Sequence, residues 1–188
     1  MLNNKIVLLD PGHGGYQLGA VVGSDKEKDI NLDYTFSLSA KLRQKGFTVI
    51  FTRDCDISLS LADRLRIIEE AQPSAFISIH CNAIDVPSVH GSEIYFRDEF
   101  DLPLAKDLQK GLEKTDIGCR GAYRDIERLN KRLTVLNNLQ IPCVLIELGY
   151  MTNDGDKQKL KESKVAITEL IASSIAAFYH TESENLNG

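Results

Sequence analysis

No run of 18 or more apolar residues occurs in the 188-residue chain, so no membrane-spanning helix and no membrane insertion are expected. The start, Met1-Leu-Asn-Asn-Lys5, leads straight into a short apolar segment. It lacks the basic region, long apolar stretch and small-residue cleavage site of a secretory signal. Read as a whole protein, the chain is made in the cytoplasm and held there until release or export. Read as an excised domain of an exported protein, it carries no such implication. Basic excess is missing too: 22 Lys and Arg face 27 Asp and Glu, a net charge of −5, which argues against a nucleic-acid partner. The four cysteines, Cys55, Cys81, Cys119 and Cys143, contain no Cys-x-x-Cys pair. That argues against a thiolate zinc ribbon and for free thiols, with Cys81 and Cys143 in the core. No internal repeat, low-complexity stretch or linker precedes residue 181.

Several nucleotide and hydrolase signatures fail as well. A Gly-x-Gly-x-x-Gly pattern begun at Gly12 meets Gln17 where its third glycine belongs, and no Walker-type loop occurs. His-Glu-x-x-His, Pro-Cys-x-x-Cys and Gly-x-Ser-x-Gly are all absent.

What is present is an ordinary globular balance, 43% apolar and 26% charged, enough to bury a sizeable core in one domain. Residues 1–180 are expected to form that domain and residues 181–188 a frayed polar tail. Lys5-Ile-Val-Leu-Leu-Asp10, ended by Pro11 and three glycines, predicts a buried strand and a loop. Residues 47–52, 75–80, 91–96 and 143–147 predict further strands, and residues 132–136 a weaker one. Leu61, Leu65 and Ile68 share a helical face, with Ser60 as N-cap and Pro73 beyond the end. Leu104, Leu108 and Leu112 share another, opened by Pro103. Ile167, Leu170, Ile171, Ile175 and Phe178 give the clearest stripe. Residues 29–45 fit a strand template on alternate positions, yet Ile30, Tyr34, Leu38 and Leu42 also form an i, i+4 row. Helix is the better choice, because thirteen residues make a long strand and Gly46 stands where a helix C′ glycine belongs. Strands alternating with helices predict an α/β domain with a mostly parallel sheet.

In such folds functional groups gather at the carboxyl ends of strands. His13 follows the first predicted strand, His80 ends the third, Glu147 ends the last strong one, and Glu27 stands just ahead of the first helix. Two imidazoles and a carboxylate make a three-ligand zinc set with one position open for water, and a second carboxylate there can serve as general base. Each residue also has a plainer reading. His13 fits an exposed loop, though three flanking glycines imply tight backbone packing. His80 fits a satisfied core histidine. Glu27, inside Lys26-Glu-Lys28, reads from composition alone as a solvated charge run. Glu147 is the most telling, because an unpaired carboxylate after Cys-Val-Leu-Ile costs several kcal/mol or takes up a proton. His90 and His180 read as loop and helix-end residues.

Taken in order, Leu9-Asp-Pro-Gly-His-Gly-Gly15, Lys26-Glu-Lys-Asp-Ile-Asn-Leu32, Thr52-Arg-Asp54, Ser78-Ile-His-Cys-Asn-Ala83 and Ile146-Glu-Leu-Gly-Tyr-Met-Thr-Asn153 resemble the zinc-dependent N-acetylmuramoyl-L-alanine amidases of the type 3 catalytic-domain family. The resemblance spans residues 5 to 180. It implies a single domain with a twisted, mostly parallel six-stranded sheet flanked by helices on both faces. It implies one zinc ion on His13, Glu27 and His80, with Glu147 catalytic. The implied substrate is peptidoglycan, cut between the lactyl group of N-acetylmuramic acid and L-alanine; a monomer is expected. Arg53 and Arg120 also match recurrent positions, and Arg120 is expected to line the groove. Asp10 reads either as partner to a ligand histidine or as a turn residue before proline. Cys81 departs from the family's usual small residue. It carries a risk of oxidation or metal exchange, although its side chain should point away from that of His80. No room exists between Phe96 and Pro103 for an inhibitory plug, so an open site is expected. No wall-anchoring repeat follows. Two other functions compete: a zinc peptidase cutting within stem peptides, and a non-catalytic wall-binding module. A phage-type lysin, an autolysin, a secreted effector and a domain fragment all fit the missing export signal.

Overall fold

The structure, a computed structural model, describes residues 5–137 and 139–185, with side chains described to residue 181. Strand β1 (Ile6–Pro11) is followed by a small hairpin, β2 (Val21–Val22) and β3 (Asp25–Lys26), and by helix α1 (Glu27–Gln44). Next come β4 (Thr48–Phe51), α2 (Leu61–Ala71), β5 (Ala75–Asn82), β6 (Ser92–Phe96) and α3 (Leu102–Leu112). Then follow β7 (Cys119–Arg124), α4 (Asp125–Leu129), a 3-10 turn (Thr134–Leu136), β8 (Cys143–Tyr150), α5 (Asp154–Glu162) and α6 (Lys164–Asn185).

The main sheet has six strands in the order β4-β1-β5-β8-β6-β7. Every pairing is parallel except β6 with β8. Side chains alternate between its faces. Val7, Leu9, Ile77, Ile79 and Ile146 meet α1, α3 and α6 on one face. Leu8, Phe76, Tyr95 and Leu145 meet Ile68 of α2 and Leu136 of the 3-10 turn on the other. Helices on both faces explain why β1, β5 and β8 are nearly continuous apolar runs.

The i, i+4 row settles residues 29–45 as helix, because Tyr34, Leu38 and Leu42 are buried in the first core. Gly46, at φ 92°, closes α1 and accepts the left-handed turn that lets the chain enter β4. Ser60 caps α2, and Asp63 returns a bond to the Ser60 backbone, completing a capping box.

Three expectations need correction. Residues 132–136 form no strand: Thr134–Leu136 is the 3-10 turn, which drops Leu136 into the second core. The sixth strand is β7, an edge strand whose sequence, Cys-Arg-Gly-Ala-Tyr-Arg, buries too little to show an apolar pattern. Helix α6 continues to Asn185, so residues 181–185 are helical rather than frayed; residues 186–188 lie outside the described residues.

Candidate active site

The register of the sheet places His80 of β5 opposite Glu147 of β8, and Glu147 opposite Glu93 of β6. Directly opposed residues point to the same face, so these three side chains form a row at the carboxyl edge of the parallel strands. Glu147 lies inside β8 rather than at its end, because the strand continues to Tyr150.

His13 sits in the loop after β1 with φ 62°, a left-handed conformation that costs a side-chain-bearing residue about 1 kcal/mol or more. Arg64 holds it there, donating from Nη2 to the His13 carbonyl at 2.7 Å. Gly12 is required by close approach: a Cβ there would fall 2.2 Å from the His80 ring. The glycines around His13 therefore make room for the second histidine as well as the first.

Glu27 is the first residue of α1 rather than a residue ahead of it, and it is buried. Its Oε2 lies 3.1 Å from His13 Nε2 and its Oε1 lies 2.9 Å from His80 Nδ1. The two rings meet edge to face, with centroids 5.0 Å apart. Backbone amides of Ala20 and Cys81 donate to the same carboxylate at 2.9 and 3.2 Å, and Asn31 Nδ2 adds a longer bond. One ligand atom from each of His13, Glu27 and His80 lies within 4.8 Å of the others, and this group can hold a metal ion. His13 and His80 keep 32% and 19% side-chain exposure, so the group opens to solvent.

Electrostatics separates the two glutamates. Burial alone would raise Glu27, but hydrogen bonds from His13 and His80 outweigh it and hold the carboxyl far below its usual range. Glu147 moves the other way. Burial pushes it up to about 7; the nearby Glu27 and Glu93 carboxylates add to this, and His80 opposes it. Its Oε2 is buried with no hydrogen-bond partner among the described residues. Burial also opposes a charged His80, yet the bond to Glu27 and the charge on Glu147 bring its pKa above the ordinary value.

The neighbours of the site differ from several expectations. Among the described residues, Asp10 bonds no histidine. Its carboxylate accepts from Arg64 Nη1, from Thr52 Oγ1 at 2.6 Å and from Ser78 Oγ at 2.7 Å. It reaches His13 only through Arg64. Arg53 is buried and donates to the carbonyls of Pro11, Gly12 and Lys28, each at 3.0 Å, and to Cys55 at 3.2 Å. It ties the His13 loop to the start of α1. Cys81 lies in the core on the opposite face, where burial pushes its thiol well up, so the expected oxidation or metal-exchange liability has no basis. Arg120 does reach the row, donating from Nε to Glu93 Oε1 at 2.8 Å.

Arg64, Asn31, Glu93 and Arg128 were not among the candidates from sequence. Arg64 carried a signal: it falls on the apolar face of α2 with Leu61 and Ile68. Glu93, inside Ser-Glu-Ile-Tyr-Phe, carried the same signal as Glu147.

A mostly parallel α/β sheet carries at its carboxyl edge a His-Glu-His group able to hold a metal ion and a glutamate with one carboxylate oxygen unpartnered among the described residues, an arrangement suited to hydrolysis. A family model described as N-acetylmuramoyl-L-alanine amidase matches residues 7–177, and the chain belongs to that family. It is 32% identical over 159 residues to N-acetylmuramoyl-L-alanine amidase LytC of Bacillus subtilis, covering 85% of this chain and 32% of LytC. It is 30% identical over 190 residues to the germination-specific N-acetylmuramoyl-L-alanine amidase of the same species, covering 93% of this chain and 78% of that protein. The solved structure of amidase AmiC2 from Nostoc punctiforme superposes with a TM-score of 0.85 at 33% identity, covering 94% and 97% of the two chains. The chain thus spans about a third of LytC but nearly all of AmiC2 as solved. No helix among the described residues is long and apolar enough to cross a membrane.

Proposed function

We propose that the chain hydrolyses the amide between the lactyl group of N-acetylmuramic acid and L-alanine in peptidoglycan. One zinc ion would be held by His13, Glu27 and His80, with Glu147 as proton carrier. The observation that carries this is the pairing of a converged His-Glu-His group with a buried carboxylate oxygen, unpartnered among the described residues, on the strand next to His80 in the same row. The donor set fits zinc: two imidazole nitrogens and one carboxylate, already ionised because its pKa is held low. Zinc bound there supplies Lewis acidity, bringing the pKa of water toward about 7 and polarising a carbonyl oxygen.

The chain's own groups do the rest. Glu147 Oε2 accepts the proton of the attacking water, then returns it to the leaving nitrogen of alanine. A carboxyl poised near neutrality can do both. Glu27 cannot, since its ionised carboxylate would be held on the metal with the two histidines. Arg64 and Arg53 hold the His13 loop at the entrance to α1, which keeps the ligand atoms aligned before any substrate arrives. The cell wall is then the place of action, reached by release or export.

Digestion of purified wall, followed by mass identification of the products, tests this. The expected product is a stem peptide with a new amino terminus on L-alanine, lost with a chelator and restored by zinc. A cut between two amino acids would make the chain a peptidase. Wall bound and never cleaved would make it a binding module.

A further inference from the structure

Beyond Glu147, the row continues into a cationic cluster that the hydrolytic step does not use. The pairing of β6 with β7 slips by one residue: Ser92 faces Cys119, but Glu93 faces Gly121. Arg120 is the extra residue, and such a bulge re-aims a side chain. It turns Arg120 onto the face that carries Glu93 and Glu147. Arg128 of α4 arrives at the same carboxylate, with Nη2 3.3 Å from Glu93 Oε1.

Glu93 is thereby fully occupied. Its Oε1 takes both arginines, and its Oε2 accepts from Tyr95 at 2.7 Å and from Asn82 at 3.5 Å. The arginines are not. Two guanidinium groups share one carboxylate, which leaves about one unit of positive charge in a chain whose net charge is −5. Arg120 Nη2 and Arg128 Nη1 make no hydrogen bond among the described residues, and the two side chains are 34% and 42% exposed. The acidic groups of α4 are engaged elsewhere, Glu127 by Arg124 and Asp125 by Arg132. Both guanidinium groups are held in place, Arg120 5.8 Å from the ring centre of Tyr150 and Arg128 4.9 Å from that of Tyr123. Fixed planar forks with spare donors are built for a carboxylate.

Position says which carboxylate. Neighbouring strands lie about 4.8 Å apart, so Glu93 stands roughly 10 Å from His80 along the row. An extended peptide advances about 3.4 Å per residue. With the scissile amide between His80 and Glu147 and the stem peptide laid along the row toward β6, the residue after L-alanine reaches the arginines. That residue in cell walls is a glutamyl whose α-carboxyl is either free or capped as an amide.

We propose that Arg120 and Arg128 form a recognition subsite for the free α-carboxylate of the stem-peptide residue that follows L-alanine, and that they discriminate against the amidated form. The proposal rests on the hydrolytic reading above. The test compares N-acetylmuramoyl-L-alanyl-D-glutamate γ-methylamide, whose one free carboxylate is the α-carboxylate, with its α-carboxamide on the zinc-loaded protein, following release of the alanine amino group. Wild type should favour the acid by about tenfold or more in kcat/KM, and Arg120→Gln with Arg128→Gln should bring the ratio below about twofold. Calorimetric binding of both compounds to Glu147→Gln, whose turnover is slowed by about 10²-fold or more, should show the same preference. Should the double variant fail to unfold cooperatively, Arg128→Gln alone, with Arg120 still on Glu93, should cut the preference by about threefold. Equal wild-type handling of the two compounds, or a variant that keeps the preference, overturns the subsite and leaves the hydrolytic reading standing. Release from neither compound, with wall also left uncut, overturns the hydrolytic reading and the subsite with it.

Discussion

Replacing Glu147 with Gln should do two opposite things: cut turnover steeply and stabilise the metal-free protein at alkaline pH. Glu147 stands at about 7 in the fold against 4.5 for an ordinary glutamate, first because it is buried. The folded state therefore keeps a proton that the unfolded chain has already released. Stability falls as pH rises from about 4.5 through about 7, and is level above that. At about 1.4 kcal/mol per pH unit, the gap amounts to about 3 kcal/mol. Glutamine carries no charge and has no such slope. His80 returns part of the loss, because its proton is favoured by a charged Glu147. Urea unfolding of both proteins in chelator, at pH 5 and pH 8.5, isolates the effect, since every other titrating group is shared. Wild type should lose about 2–3 kcal/mol relative to the variant between the two pH values. Added zinc should shrink that difference, because a cation nearby offsets the buried charge. Turnover should fall by about 10²- to 10⁴-fold in the same variant. A wild-type-minus-variant difference that stays constant across the pH range would refute the reasoning, for then Glu147 is not desolvated.

Three further outcomes follow from the same geometry. Arg53→Leu strands four carbonyl groups around the His13 loop and should cost about 3–5 kcal/mol in chemical denaturation. Gly19→Ala puts a Cβ 2.4 Å from Glu27 Oε2 at a residue with φ 68°; zinc affinity, read by chelator competition, should fall about tenfold or more while the fold loses only about 1–2 kcal/mol. Zinc at a hundred times its dissociation constant should stabilise wild type by about 2.7 kcal/mol in thermal melts, and His13→Ala should remove most of that gain.

Much of the architecture was readable because it is built on pattern. The strands from 5–10, 75–80 and 143–147 are apolar runs, since helices cover both faces of the sheet. The first helix was separable from a strand by the length a strand would need and by Gly46 at its end, and its i, i+4 row is the face buried in the core. Where burial is slight, pattern fails. Strand β7 lies at an edge with one buried residue, Gly121, and gave no apolar signal. Residues 132–136 show the reverse, an apolar run that packs without joining the sheet.

The site divides along the same line. Residue chemistry, fixed in the chain, marked His13, His80 and Glu147 as candidates to bind a metal or carry a proton, while Glu27 read as a solvated charge run until the motif resemblance set it beside them. It also fixed the charge imbalance and the glycines that let backbone and imidazole touch. Strand order was decided only by the fold. Inserting β8 between β5 and β6 sets His80, Glu147 and Glu93 side by side, and one slipped residue in β7 turns Arg120 toward them. Local periodicity records which face of a strand is buried but not which strand lies beside it. Neighbours are chosen by long-range packing of the whole sheet, and so the role of Asp10, Arg64 and the arginine pair became visible only in three dimensions.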